Sequence, residues 1–488
     1  MMTDPPSRRP RRSVRWIVFV VLSGVILIVG VLVAWRLGAQ GHTALAGIPL
    51  RPDLGDLPPE MEHRVTRCEF RIRFCLGPAS ALGELGGLYQ ANGFYPQAGQ
   101  CYRALMTIDR ENPKWPHFMA GILTGYGEMD EALPLLLRVV ALAPDYVPAR
   151  IRLADALLKS NQWTAAKQAY SEALTRDPEN PYALLGLARC DLQDGNWTGA
   201  RGQLDSVVAS HPEFSLAWTL MAAIDSHFGN GDAEADDEAR VKGGVNYRDC
   251  PDPWTDELMA GCYNAYQLRT VAATDSTAGD SRDALPLLDR ALALSPDDAP
   301  THRQYGNLLR QLKRYGDARA HLEQCVALDP DTSDNWIDLI NLLRDMGDAP
   351  AAERALIDGI ARCPDSPNLH YERGKQLKAA GHFEEALADF RLALRVQPSE
   401  ANNYMEAASV YFHLGRIAEG VEELKAGLMV DPVNPGLLTG LTLYSIQYGD
   451  EAEAREWVGR ARDDRKVARD QLRSLEDQFR NRFGHNPY

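Results

Sequence analysis

Residues 367–400 read PNLHYERGKQLKAAGHFEEALADFRLALRVQPSE, and this 34-residue unit decides the fold. Apolar and small residues recur at helical spacing in its first half, until Gly381 provides the left-handed turn that commonly ends a helix. Residues 384–396 carry apolar side chains on one helical face, and Pro398 marks the end of this second helix because proline cannot continue it. Neither helix can bury its apolar face alone, so the unit predicts a helical hairpin that needs neighbours.

The unit recurs along the C-terminal half of the chain. Prolines, small residues and turn glycines each keep the 34-residue period at fixed offsets. The three sets are Pro296, Pro330, Pro364, Pro398 and Pro432; Ala284, Ala318, Ala352, Ala386, Gly420 and Ala454; and Gly347, Gly381, Gly415 and Gly449. Self-similarity at a fixed period of this length indicates a solenoid of stacked supersecondary units.

The same period runs through residues 79–248. Ala98, Ala132, Ala166 and Ala200 lie 34 residues apart. The next member of this set, Ala284, follows 84 residues later, so an irregular segment separates two arrays of hairpins. We expect this segment, residues 249–281, to contain one long helix from Trp254 to Leu268.

These motifs resemble the tetratricopeptide-repeat family over roughly residues 79–468. The family pattern is a 34-residue helix-turn-helix with Trp, Leu-Gly, Ala and a closing Pro at set positions. One copy is matched by Trp336, Leu339, Leu343, Gly347, Ala352, Leu356 and Pro364, and another by residues 147–180. The resemblance implies an all-α, right-handed α-solenoid whose first helices line a concave groove. It also implies a non-enzymatic protein that binds other proteins or extended peptides.

Residues 16–36 have the composition of a membrane anchor. Trp16–Trp35 contains twenty residues without a charge, and at ~1.5 Å per helical residue they would span ~30 Å, the thickness of a bilayer core. Residues 1–15 contain five arginines, which the positive-inside rule keeps in the cytoplasm. We therefore expect a single-pass protein of the bacterial inner membrane with its repeats on the periplasmic side. The alternative is a signal peptide cleaved near residues 44–46.

Together these features predict eight segments. They are a cytoplasmic basic N-terminus (1–15), a transmembrane helix (16–36), a Pro/Gly-rich linker (37–59), an N-terminal capping helix (60–78), a first repeat array (79–248), an irregular insertion with a long helix (249–281), a second repeat array (282–468) and a C-terminal capping helix (469–488). Capping helices cover the open ends of a repeat array. For residues 60–78 a strand is the alternative, because Phe70, Ile72 and Phe74 alternate with other residues.

The chain lacks the residue patterns of common active sites. A net charge of −15 argues against nucleic-acid binding, which needs a basic surface. No histidine pair has metal-site spacing, and no phosphate loop, dinucleotide fingerprint or nucleophile elbow is present. We expect no catalysis, no cofactor, no metal and no small-molecule substrate. In an exported domain, Cys68 with Cys75 or Cys250 with Cys262 could form disulfides.

Polar residues on the first helices of the second array also keep the 34-residue period. Asn307, Asn341 and Lys375 form one row, Arg310, Arg344 and Lys378 form a second, and Arg303 lies one turn before them. We call these seven residues the polar ladder. In the tetratricopeptide-repeat family, which the chain resembles, the first helices line the groove. There Asn can form hydrogen bonds with an extended backbone, and Arg or Lys can bind carboxylates. The ladder therefore predicts binding of acidic peptides or exposed C-termini.

The resemblance extends only in part to the family's carboxylate clamp, whose Lys/Arg-x3-Asn step holds the C-terminal acid of partner peptides. Arg303 and Asn307 fit this step, but Asp338 and Glu372 stand where a clamp needs Asn and a basic residue. We expect a membrane-tethered scaffold, of the kind that serves as an assembly factor. The alternatives are a cytosol-facing import or chaperone-docking receptor and a regulatory or catalytic subunit with a concealed active site.

Overall fold

The fold is helical throughout the part of the chain that the computed structural model describes. The described residues are 41–55, 57–230, 250–277, 281–463 and 469–488, with residues 38, 233, 236, 237, 240, 241 and 467. No β-strand occurs among them. The predicted basic N-terminus, residues 1–15, and the predicted transmembrane helix, residues 16–36, lie outside the described residues.

The described helices fall into two compact units, which meet in sequence at Pro296 and Asp297, and within a hairpin the two helices are joined by a short turn. Unit 1 contains α1 (Pro59–Arg73), α2 (Pro78–Ala91), α3 (Tyr95–Ile108), α4 (Lys114–Gly125), α5 (Met129–Leu142), α6 (Val147–Lys159), α7 (Trp163–Leu174), α8 (Pro181–Gln193), α9 (Trp197–Ser210), α10 (Ser215–Phe228), α11 (Pro253–Met259), α12 (Ala265–Thr277) and α13 (Ser281–Leu294). Unit 2 contains α14 (Ala299–Gln311), α15 (Tyr315–Leu328), α16 (Ser333–Asp345), α17 (Ala349–Arg362), α18 (Pro367–Ala379), α19 (Phe383–Val396), α20 (Ala401–His413), α21 (Ile417–Val430), α22 (Pro435–Tyr448), α23 (Glu451–Asp463) and α24 (Arg469–Phe483).

Within each unit the helices pack as stacked hairpins. In unit 1, α2 pairs with α3, α4 with α5, α6 with α7 and α8 with α9, and each second helix also packs on the first helix of the next hairpin. In unit 2 the hairpins run in the same way from α14–α15 to α22–α23. This nearest-neighbour packing confirms the predicted all-α solenoid of helix-turn-helix repeats.

Small residues allow the two helices of one hairpin to approach closely. A Cβ placed on Gly374 of α18 would lie 2.8 Å from the Phe390 ring of α19, and one placed on Gly306 of α14 would lie 2.6 Å from Leu322 of α15. Phe390 and Leu322 are fully buried. The turn between α18 and α19 needs a glycine for another reason, because Gly381 has a φ of +83°.

Further helices cover the hairpins at each end of the described chain. Helix α1 packs on α2, and α24 packs on α22 and α23. Phe70 and Phe74, which suggested a strand, lie in and just after α1 and are exposed, whereas Met61 and Ile72 of that helix are buried. The strand alternative for this segment is therefore wrong, because the buried residues follow a helical period.

The described helices are short. The longest, α1 and α24, contain 15 residues each, which is about 22 Å at the helical rise against the ~30 Å of a bilayer core. None of the described helices is long and apolar enough to cross a membrane. This finding contradicts the predicted localisation, a single-pass protein of the bacterial inner membrane with periplasmic repeats, and we withdraw that prediction.

Replacing Gly374 by alanine tests the close approach within a hairpin. We expect Gly374→Ala to lower the free energy of unfolding by about 1–3 kcal/mol, because the added methyl group overpacks against the buried Phe390 ring. The measurement is urea unfolding followed by circular dichroism.

Gly459→Ala on α23 is the matched control, since nothing lies within 4 Å of a Cβ at that position. The control is expected to leave stability unchanged or to raise it by about 0.5–1 kcal/mol, because alanine favours a helix over glycine. Equal effects of the two substitutions would contradict the proposed overpacking.

Candidate peptide-binding surfaces

The polar ladder lies on the first helices of three successive hairpins of unit 2. Helix α14 carries Arg303, Asn307 and Arg310, α16 carries Asn341 and Arg344, and α18 carries Lys375 and Lys378. All seven side chains are partly exposed or exposed. Because α14 contacts α16 and α16 contacts α18, these helices form one continuous surface, the first-helix face of unit 2.

The first step of the ladder is held by one carboxylate. Arg303 Nε donates to Asp338 Oδ2 at 2.6 Å, and Asn307 Nδ2 donates to the same oxygen at 2.7 Å. Asp334 lies 3.4 Å from the Arg303 guanidinium and adds a second negative charge. The ladder residues of α14 are therefore tied to acidic residues of α16, the first helix of the next hairpin.

The remaining cations of the ladder are paired in the same way. Arg310 contacts Asp345 at 3.2 Å, Arg344 bonds Glu372, and Lys378 bonds Glu406. The carboxylates Asp338, Glu372 and Glu406 themselves lie 34 residues apart. The cations of the ladder thus form ion pairs between neighbouring hairpins and are not a strip of unpaired positive charge. Each partly exposed pair contributes up to about 1 kcal/mol to stability.

This pairing also explains the two departures from the carboxylate clamp. Asp338 and Glu372, which stand in place of clamp residues, form ion pairs with Arg303 and Arg344. Lys375 is held most loosely, since its Nζ lies 3.5 Å from Glu372 and its side chain is 45% exposed. The binding role of the ladder stays a prediction, but its most accessible cation is Lys375.

Some polar atoms of the ladder have no hydrogen-bond partner among the described residues. The side chain of Asn341 forms no hydrogen bond to any of them. Asn307 Oδ1 and Arg310 Nε are buried and unpartnered within the same part of the chain. Polar groups without partners on a partly exposed face are the groups to which a peptide backbone could bind.

A second polar surface lies in unit 1, where the sequence did not predict one. It is built from the first helices α2, α4 and α6, and residues 250–264 lie across it. In place of the long helix expected from Trp254 to Leu268, the chain forms α11 and α12 with a turn between them. We call the surface the first-helix face of unit 1 and residues 252–258 the docked segment.

Asp252, the N-cap of α11, lies at the centre of this contact and is 3% exposed. His117 Nε2 and Tyr146 OH each lie 2.5 Å from its carboxylate, and Arg152 lies 3.0 Å away. Burial alone would raise the pKa of Asp252, but the hydrogen bond to His117 and the charge of Arg152 hold it well below its usual value. Asp252 is therefore a buried, ionised carboxylate with a complete set of partners.

Trp254 follows Asp252 into an aromatic slot. Its ring stacks on Tyr146 with centroids 3.7 Å apart and an interplanar angle of 8°, and it meets His117 edge-on at 5.3 Å. Lys114 lies 6.0 Å from the centroid of the Trp254 ring and forms an ion pair with Glu257 at 2.5 Å. The cation, the two rings and the carboxylates hold the docked segment by polar and aromatic contacts.

Asn92 fixes the backbone after α11. Its Nδ2 donates to the carbonyl of Gly261 at 3.0 Å, and its Oδ1 accepts from the amide of Tyr263 at 2.6 Å. These two bonds hold the turn between α11 and α12, in which the amides of Gly261 and Cys262 donate to the carbonyls of Leu258 and Met259. Asn92, which directly follows α2, thus binds backbone peptide groups, and binding of extended backbone by Asn307 and Asn341 stays a prediction.

A signal for this surface was present in the repeat itself. His117 occupies the position at which the next two repeats have Ile151 and Leu185, both buried apolar residues. A polar side chain at a buried position of the repeat needs a buried hydrogen-bond partner, and for His117 this partner is Asp252. The sequence gives no indication that Asp252 is this partner, because it lies 135 residues from His117.

The cysteines near this surface are unpaired. All eight cysteines of the chain are free thiols, including Cys68, Cys75, Cys250 and Cys262. Burial raises the pKa of Cys68 and of Cys250 to about 12, so both thiols are protonated and unreactive. The two disulfides considered from the sequence are not formed in the structure.

Comparisons with known proteins agree with the fold. Two family models, both described as tetratricopeptide repeat, match the chain, one at residues 123–171, 157–224 and 309–373 and the other at 276–332 and 371–431. Together the matches cover just over half of the chain. The chain therefore belongs to the tetratricopeptide-repeat proteins.

Particular relatives match short stretches or the fold alone. Protein STIP1 homolog of Dictyostelium discoideum is 29% identical over 87 residues, 18% of this chain and 15% of that protein. Hsp70-Hsp90 organizing protein of Triticum aestivum is 31% identical over 84 residues, 17% of this chain and 14% of that protein. The chain thus spans about a seventh of the length of these two relatives. Yeast Tom70 has a similar structure, with 14% identity, a TM-score of 0.37 and coverage of 82% of this chain and 94% of Tom70.

The buried carboxylate at the centre of the unit 1 surface can be tested by its removal. We expect Asp252→Ala to lower the free energy of unfolding by about 3 kcal/mol, because Arg152 loses its counter-charge and His117 and Tyr146 lose a buried hydrogen-bond partner. Thermal and urea unfolding measure this change.

Asp145→Ala is the matched control, because its carboxylate is 93% exposed and lies next to Tyr146 in sequence. The control is expected to change stability by no more than about 0.5 kcal/mol. If Asp252→Ala were as mild as Asp145→Ala, the described charge cluster would not contribute to stability.

Proposed function

We propose that this protein is a non-enzymatic scaffold that binds partner proteins by laying extended segments across the first-helix faces of its hairpin arrays. The observation that carries this proposal is the pair of hydrogen bonds between Asn92 and the backbone of Gly261 and Tyr263. Asn92, beside the first-helix face of unit 1, already binds backbone peptide groups of a turn, and such bonds depend on the peptide groups and not on one sequence.

The first-helix face of unit 2 is the surface we propose for external partners. Asn341 has no hydrogen-bond partner among the described residues, so its amide is available to a peptide backbone. An acidic side chain or a C-terminal carboxylate of the partner would bind Lys375, whose contact with Glu372 is long and exposed. Because the other cations are already paired, backbone recognition contributes more to affinity than net charge does.

The relatives support the class of function and not a partner. The wheat relative is named as an organiser of Hsp70 and Hsp90. A scaffold that brings other proteins together is consistent with that name and with the tetratricopeptide repeats. Paired cations at Arg303 and Arg344 leave no complete carboxylate clamp, so we propose extended-segment binding as the mode of recognition.

The proposal predicts which substitutions weaken partner binding. In the experiment, the full chain is immobilised, and the proteins that it captures are cross-linked to it and identified. The segment of a captured protein that is cross-linked to unit 2 is then synthesised as a peptide. We expect Asn341→Ala with Lys375→Ala to weaken binding of this peptide at least tenfold, measured by fluorescence anisotropy, because both proposed contacts are lost.

Lys425→Ala is the matched control. Lys425 pairs with Glu422 at 3.3 Å and is 48% exposed, which closely matches the surroundings of Lys375, but it lies on α21, a second helix. The control is expected to bind as the unaltered chain does. Unchanged affinity in the Asn341–Lys375 variant would show that partners do not use the polar ladder.

A further inference from the structure

We propose that the first-helix face of unit 1 is a binding site for acidic–aromatic peptides, and that the docked segment, residues 252–258, fills this site until such a peptide displaces it. The inference rests on the proposed function only in taking first-helix faces as peptide-binding surfaces. It adds a second site, the chemistry of its ligand, and a competitor built into the chain.

Charge complementarity defines one part of the ligand. The face supplies the cations Lys114 from α4 and Arg152 from α6, while the docked segment supplies carboxylates at Asp252 and Glu257. Burial lowers the pKa of His117, which therefore meets Asp252 as a neutral hydrogen-bond partner. Two acidic residues five positions apart therefore meet two separate cationic positions. Charged groups paired across a surface fix the register of the segment.

The aromatic slot defines the other part. Trp254 fits between Tyr146 and His117, and Arg152 donates to the hydroxyl of Thr255 at 3.2 Å. A peptide that reads Asp-x-Trp, with a later acidic residue, would satisfy the same contacts. Stacked aromatic rings of this kind are typical anchors in peptide recognition.

The docked segment lies on the surface of unit 1, with Asp252 buried and with Trp254 and Leu258 partly buried against the core. None of the residues of α11 is fully buried, whereas α4 beneath it buries seven. The contacts within the hairpins α2–α3, α4–α5 and α6–α7 do not involve α11. The backbone bonds of Asn92 and the bonds of Arg290 to the carbonyls of Met259 and Cys262 retain the following turn.

Two cavities extend the site on either side of the docked segment. A cavity of about 500 Å³ is lined by Thr255 and Arg152 together with residues of α4 and α5. A second cavity of about 540 Å³ is lined by Pro251 and Pro253 together with Tyr182. A partner peptide longer than the docked segment would gain contacts in both cavities, and this additional contact area favours the exchange.

An attached segment is a strong competitor. It acts at an effective concentration on the order of millimolar. For any intrinsic dissociation constant below about 0.1 mM, the docked segment therefore weakens the apparent affinity for a free peptide at least tenfold. Removing its anchoring side chains should restore that affinity.

The test uses the full chain and a labelled synthetic peptide with the sequence of residues 251–260, PDPWTDELMA. We expect the Asp252→Ala, Trp254→Ala double variant to bind this peptide at least tenfold more tightly than the unaltered chain, as measured by fluorescence anisotropy. Adding Arg152→Glu to the double variant should abolish this gain in affinity. A peptide with alanine in place of the residues that correspond to Asp252 and Trp254 should bind neither chain. Tyr266→Ala, which removes an exposed aromatic residue from α12, is the control and should bind as the unaltered chain does.

A second measurement decides the case even if the double variant unfolds. The unaltered chain is mixed with excess isotope-labelled peptide, and hydrogen exchange of residues 252–258 is followed by mass spectrometry. Faster exchange in these residues shows displacement, and unchanged exchange at saturating peptide overturns the proposal. Equal affinity of a folded double variant and the unaltered chain also overturns it. Both assays report on unit 1, so a negative result does not bear on the proposed binding to the polar ladder of unit 2. A negative result at the ladder likewise does not bear on this proposal.

Discussion

Each 34-residue hairpin can bury its apolar faces only by packing on its neighbours, and the rest of the structure depends on this constraint. The constraint recurs at the level of single contacts. In three hairpins a glycine of the first helix faces a large side chain sixteen residues later: Gly86 with Tyr102, Gly306 with Leu322, and Gly374 with Phe390. Close approach at these points brings the apolar faces together, and the outer surfaces of the first helices are left for polar residues.

The two units use those polar surfaces differently. In unit 2, acidic residues at the same period as the ladder neutralise most of its cations, so the surface stabilises the stack and leaves Asn341 and Lys375 accessible. In unit 1 the surface is filled by residues 252–258 of the same chain, with Asp252 buried among His117, Tyr146 and Arg152. Under the proposals above, partners bind the first surface directly and reach the second only by displacing residues 252–258.

The sequence predicted what is periodic and missed what is not. Hairpins, turn glycines and the helices that carry the ladder follow from the 34-residue period. The period also contained Asp338 and Glu372, but these were interpreted as departures from a clamp when they are partners of Arg303 and Arg344. The docked segment could not be predicted, because its ion pairs and hydrogen bonds to the first-helix face join residues 100 to 143 positions apart and no repeat encodes them. The predicted membrane localisation was wrong, since no described helix supports it.

Beside the first-helix face of unit 1, the side chain of Asn92 holds the backbone after α11 by binding two of its peptide groups. Hydrogen exchange of the full chain with Asn92→Ala measures this contact, because Asn92 accepts from the Tyr263 amide and donates to the Gly261 carbonyl. We expect the amides of residues 261–263 to exchange at least tenfold faster in this variant, while those of α14–α18 do not change. Unaltered exchange at residues 261–263 would show that Asn92 does not hold this turn.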